Sequence, residues 1–142
     1  MSRLLVLATA IGVLSIGLGN AQKSSIKAVN PVSNVSPTDG KQMFTSYCSP
    51  CHGSDGRGGG PVASSLKKPP ADLTAIARNN SGRFSEPRVI SVLEFGGTSV
   101  GNHPSEMPAW GGQFARVSHL SPNDKDLRIL NLIRYLESIQ AK

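Results

Sequence analysis

A chain of 142 residues, 38% hydrophobic and only 5% aromatic, has room for one domain with a modest core and excludes a comfortable two-domain arrangement. Its formal net charge of +6 is carried by lysines and arginines that form no dense run. That pattern argues against nucleic-acid binding and for steering towards acidic protein surfaces.

The first residues read as a leader. Arg3 precedes an apolar or small-residue run from Leu4 to Leu18, and Gly19-Asn20-Ala21 follows. This order predicts a secretory signal over residues 1–21, cleaved after Ala21. The run is shorter than the roughly 20 residues a spanning helix needs, which disfavours a retained anchor, and no later stretch is long and apolar enough to span. Residues 22–36, rich in Ser, Asn, Val and Pro, are expected to be a flexible lead-in or tether, and residues 37–142 the folded domain.

Within that domain, Ser36-Pro37-Thr38-Asp39 predicts a helix start, with Ser36 as N-cap and Pro37 at the first helical position. Met43, Phe44, Tyr47, Cys48 and Cys51 then follow at helical spacing to an end near Cys51. Ser54 to Pro70 holds repeated glycines and prolines and is expected to be loop, with a turn of helix near Ala63 to Leu66. Asp72 predicts the cap of a short helix over Leu73 to Asn79. Ser85 predicts the cap of a clearer one over Glu86 to Phe95, with Val89, Ile90, Val92 and Leu93 inward and Gly96-Gly97 ending it. Thr98 to Val117 is read as irregular. Ser121-Pro122-Asn123-Asp124 repeats the helix-start pattern, and helical spacing then runs from Leu127 to near Gln140. No hairpin signal appears, so the fold class is all-α. Its loops are longer than a plain helix bundle uses, which implies that something besides protein organises them.

Cys48-Ser49-Pro50-Cys51-His52 is the Cys-x-x-Cys-His spacing at which haem is attached covalently. Two thiols three residues apart reach the two vinyl groups of one porphyrin, and the next side chain is an imidazole placed for the iron. Export fits, because this attachment takes place outside the cytoplasm. A redox dithiol normally accompanies a βαβ pattern, which is missing, and zinc needs about four ligands, for which the cysteines, His52, His103 and His119 are a poor set. The sixth iron ligand has four candidates: Met43, Met107, His103 and His119. Met43 lies on the attachment helix and reads as core; His119 precedes a helix cap and reads as exposed. Met107 stands before Pro108, which biases it towards extended backbone. A loop of that shape can lay a soft thioether against iron and raise the reduction potential relative to a second imidazole. His103, in the same loop, remains the rival.

Taken together, these residues resemble the class I mono-haem c-type cytochromes, exported electron carriers of bacteria, over about Pro37 to Ile139. Gly40-x-x-x-Phe44-x-x-x-Cys48-x-x-Cys51-His52-Gly53 is similar to that family's first helix, and Leu132-x-x-Tyr135-Leu136 to its last. The resemblance implies a cytochrome c fold in which the end helices cross at Gly40, Phe44, Leu132 and Tyr135. It implies one haem c per chain, bonded to Cys48 and Cys51, with His52 and Met107 axial to the iron. It also implies that the carbonyl of Pro61 accepts the second N–H of His52. Trp110 would pack on the haem or bond a propionate, and Arg57, Arg78, Arg83 and Arg116 are propionate candidates or ordinary surface charge. The Pro-Pro-Ala-Asp-Leu-Thr stretch at 69–74 resembles cytochromes that serve as partners or domains of oxidoreductases.

No Ser/His/Asp set, paired carboxylates or phosphate-binding loop appears. The expected function is therefore one-electron transfer in the periplasm by a monomeric, non-enzymatic carrier. It would dock on acidic surfaces of a reductase or oxidase, without nucleic acid or stable membrane insertion. The alternatives are a tethered haem subunit of a dehydrogenase or terminal oxidase, and a haem enzyme or gas sensor with a labile sixth ligand.

Overall fold

The computed structural model describes residues 35–97, 105–117, 121 and 123–141. The expected signal over 1–21, most of the lead-in, His103 and His119 lie outside the described residues. The described elements are helical, with no strand among them: α1 (Gly40–Met43), a π-helical turn (Phe44–Cys48), α2 (Ser49–His52), 3-10 turns at Ala63–Ser65, Leu73–Ala75 and Arg78–Asn80, then α3 (Glu86–Phe95), α4 (Trp110–Val117) and α5 (Asp124–Ser138).

The first helix starts later than Ser36 and Pro37 suggested. Its N-cap is Asp39, whose Oδ1 accepts from the Gln42 N–H at 2.8 Å. Ser36 instead takes the Thr38 N–H at 3.3 Å in a local turn. An N-cap side chain must reach the first free amides of the helix, and Asp39 stands three residues nearer them than Ser36.

Helical backbone then runs unbroken to His52, widened in the middle, and Pro50 accounts for the widening. A proline has no N–H for the carbonyl four residues back, here Ser46, and its ring crowds that carbonyl. The Ser49 N–H reaches the Phe44 carbonyl, five residues back. The Ser49 hydroxyl takes the Thr45 carbonyl at 2.6 Å. One extra residue in the turn shifts the helical phase by about 100°. The Cys48–His52 stretch is thereby turned relative to the Gly40–Phe44 face that packs on α5.

At that crossing, a Cβ on Gly40 would run into the carbonyl oxygen of Asn131 and lie 3.1 Å from Cβ of Tyr135. Only a residue without a side chain lets the backbones come so close. Phe44 and Leu132 are each 1% exposed there, and the Phe44 and Tyr135 rings sit 5.1 Å apart. Burying each such side chain contributes about 2 kcal/mol.

α3 presents Val89 and Leu93 to the core and ends at Gly96, whose φ of +85° a side chain would strain. Ile90, expected inward, points out and is 38% exposed. The stretch expected to be irregular up to Val117 contains α4, with Gly111 and Phe114 buried. Trp110, Phe114 and Val117 are in fact spaced i, i+4, i+7. Where Gly111 meets α3, a Cβ would strike the Glu94 carboxylate. The end of the chain is pinned to the middle turn: Gln140 donates to the Leu73 carbonyl at 2.8 Å and accepts from the Ala77 N–H at 2.9 Å, and the Ala141 N–H donates to the Thr74 carbonyl at 2.9 Å.

Candidate haem-binding site

Cys48, Cys51 and His52 lie within one helical turn, the two thiols at i and i+3 on one face. Cys48 and His52 are buried and Cys51 is half-buried; neither cysteine is in a disulfide. Burial pushes the Cys48 thiol up to about 12, with the neighbouring Cys51 adding to the rise. A redox dithiol works as a thiolate near neutral pH, so this environment does not suit one.

The glycine-rich loop folds straight back onto this turn. Amides of Gly58, Gly60 and Val62 donate to the carbonyls of His52 (2.7 Å), Cys51 (3.0 Å) and Pro50 (3.0 Å). These are carbonyls a helix end leaves without partners. A Cβ on Gly60 would meet the backbone of Pro50 and Cys51, 2.6 Å from the Cys51 carbonyl carbon.

This use of the loop corrects the expectation for Pro61. Its neighbours Gly60 and Val62 are committed to α2 carbonyls, and Pro61 itself is exposed. The chain continues through Pro69-Pro70, and it is the carbonyl of Ala71 that meets His52 Nδ1, at 2.9 Å. A carbonyl only accepts, so Nδ1 carries the hydrogen and Nε2 keeps its lone pair for a metal. Ala71 is held by the turn that follows it. The Leu73 N–H donates to the Gly56 carbonyl at 2.7 Å, and Asp72 caps Thr74 through its N–H at 2.9 Å and its hydroxyl at 2.6 Å.

Met107 is half-buried and packs against the core cluster, whereas Met43 is fully buried within it. The Met107 loop is tied down at three points. The Met107 N–H donates to Ser105 Oγ at 3.1 Å, Glu106 accepts from the Lys67 N–H at 2.9 Å, and a Cβ on Gly96 would lie 2.9 Å from the Met107 carbonyl oxygen. Trp110 joins Tyr47 and Phe114 in a three-ring cluster, 5.5 Å from Tyr47 and 5.6 Å from Phe114. Through it α4, just beyond the Met107 loop, rests on the residue preceding Cys48. Arg57, Arg78, Arg83 and Arg116 are all exposed, and Arg78 lies 4.0 Å from Asp72.

One residue of this region had no sequence signal as a site. Arg128, on the inner stripe of α5, is 4% exposed. Its only hint was its position four residues before Leu132 and seven before Tyr135, on the face that meets the first helix.

The donor set fits haem c: paired thiols at the attachment spacing, an imidazole oriented by a backbone carbonyl, and a glycine cradle closed over their carbonyls. The fold and this set define a c-type cytochrome domain, carrying one covalently attached haem c per chain for electron transfer. Compared with known families, residues 35–118 match the family described as cytochrome c oxidase, cbb3-type, subunit III, and the chain belongs to it. No curated protein and no solved structure matches the chain.

Proposed function

We propose that this chain is the haem-carrying electron-transfer subunit of an exported oxidase-type complex, passing single electrons to its partner rather than transforming a substrate. The observation that carries this reading is the match over residues 35–118 to a family described as an oxidase subunit. Haem c, when bound, supplies a one-electron Fe(II)/Fe(III) couple. Cys48 and Cys51 would hold it, His52 would offer its Nε2 with the tautomer set by the Ala71 carbonyl, and Met107 would offer its thioether as a further iron ligand. Tyr47, Trp110 and Phe114 pack together beside the attachment turn. The scattered positive charge orients docking on acidic surfaces, an attraction that weakens with salt.

Export is part of the proposal: residues 1–21 act as a signal, 22–36 as a tether and 37–142 as the domain, acting in the periplasm. No helix among the described residues is long and apolar enough to cross a membrane. The test is purification of the tagged chain from mildly solubilised membranes of its native host. Co-migration with an oxidase in fixed stoichiometry is expected; a monomer free of partners at physiological salt would instead make it a diffusing carrier.

A further inference from the structure

Arg128 places a full positive charge in the core. Its Nη1 donates to the Val35 carbonyl at 2.8 Å and lies 3.9 Å from Met43 Sδ. The guanidinium also hydrogen-bonds the Tyr47 side chain and sits 5.9 Å from the centre of the Phe114 ring. Among the described residues its Nε has no hydrogen-bond partner and no carboxylate pairs with it. An arginine cannot shed its proton to escape burial. Leaving a buried cation unneutralised is costly, and an apolar side chain of similar size often serves the core as well or better. Hydrogen bonds and a ring face offset part of that cost but leave the charge in place. The surroundings are specific: among the described residues it meets Val35 just before the first helix, Met43 and Tyr47 on that helix and Phe114 on α4, and Tyr47 is bonded directly to Cys48.

We propose that Arg128 is a positioning residue that sets the haem potential, its buried charge favouring the reduced state while its hydrogen bonds tie Val35 and, through Tyr47, the attachment helix to α5. Ferric haem with two neutral axial ligands carries one more positive charge than ferrous haem, so a fixed cation in a poorly screened interior destabilises the oxidised form. The same charge in water would be screened to little effect. The inference rests on haem attachment and holds equally for a complex subunit and for a free carrier.

The test is spectroelectrochemical titration of the haem-loaded chain and its variants. Arg128→Met and Arg128→Gln remove the charge, Arg128→Lys keeps it, and Tyr47→Phe removes one hydrogen bond while leaving the charge. At a fixed ambient potential, both neutral variants are expected to be several-fold more oxidised than the parent. Arg128→Lys and Tyr47→Phe are expected to stay close to it. A purely structural arginine would change stability in all four without this division by charge. A neutral variant that matures with haem and keeps the parental potential overturns the proposal. It fails as well if neither neutral variant holds haem while Arg128→Lys does, because the charge would then serve assembly alone.

Discussion

His52 Nδ1 donates to the carbonyl oxygen of Ala71 at 2.9 Å, across 19 residues of chain. The imidazole is thus oriented by backbone, and the position of that backbone depends on the turn that follows it. Whatever loosens residues 72–74 should be felt at the imidazole.

Asp72 is the first test of that coupling. Its hydrogen bond from the Thr74 hydroxyl, followed by the Thr74 amide and the nearby Arg78, holds its carboxyl below the usual range. The folded pKa lies under the unfolded value of about 3.9. The contribution to stability is therefore present above that pH and lost as pH falls through the folded pKa. Thermal melts followed by haem absorbance should show a falling Tm below about pH 4. Asp72→Asn should flatten that acid-side slope, and Asp72→Ala should cost about 1 kcal/mol at neutral pH as a lost cap.

Two glycines give opposite expectations. Gly40→Ala forces a methyl group into the Asn131 carbonyl, where two helix backbones are in contact. Denaturant unfolding should show a loss of about 1–3 kcal/mol. Gly112, in α4, has none of the described residues within 4 Å of its would-be Cβ. Gly112→Ala should therefore stabilise, by about 0.5–1 kcal/mol, through restricting the unfolded chain.

Met107→Ala should abolish the weak near-infrared band of methionine-ligated ferric haem and let the ferrous protein bind CO at neutral pH. Met107→His should restore six-coordination and lower the potential, since imidazole is a less favourable ligand than thioether for the reduced state. His103→Ala should leave the band intact. Loss of the band in His103→Ala and its retention in Met107→Ala would reverse the assignment.

Removing haem should unfold most of the domain. The loop over 54–70 has little regular structure of its own and folds back on the attachment turn, and residues 105–109 are held by contacts to Lys67 and Gly96 instead of by a helix of their own. Far-ultraviolet circular dichroism of chain expressed without haem attachment should show much reduced helicity and a broad thermal transition. Full helicity in the haem-free chain would contradict this.

Much of the site was legible in local spacing. Cys48, Cys51 and His52 declare their chemistry because covalent attachment needs those atoms in that order. The junction of Gly40, Phe44, Leu132 and Tyr135 is legible through the resemblance to the cytochrome family, and α3 and α5 through periodicity. Asp72 capped its turn where a short polar side chain before an apolar residue should. The exceptions were short or doubly constrained elements. α4 is a helix of two turns rich in glycine, so its spaced rings Trp110 and Phe114 were outweighed by composition. Ile90 lies at the boundary of its helix face, where periodicity alone does not decide between core and solvent.

What the sequence by itself determined is the cofactor chemistry and the class of fold, since both are written in side-chain identity over a few turns. Only the tertiary structure decided that Ala71 rather than Pro61 holds His52, and that Arg128 is buried at the centre of the helices. Every residue offers a backbone carbonyl, so an acceptor carries no signature of its own and is chosen by where the chain passes. An arginine on a helix likewise reads as solvated surface until the neighbouring elements close over it and leave its charge inside.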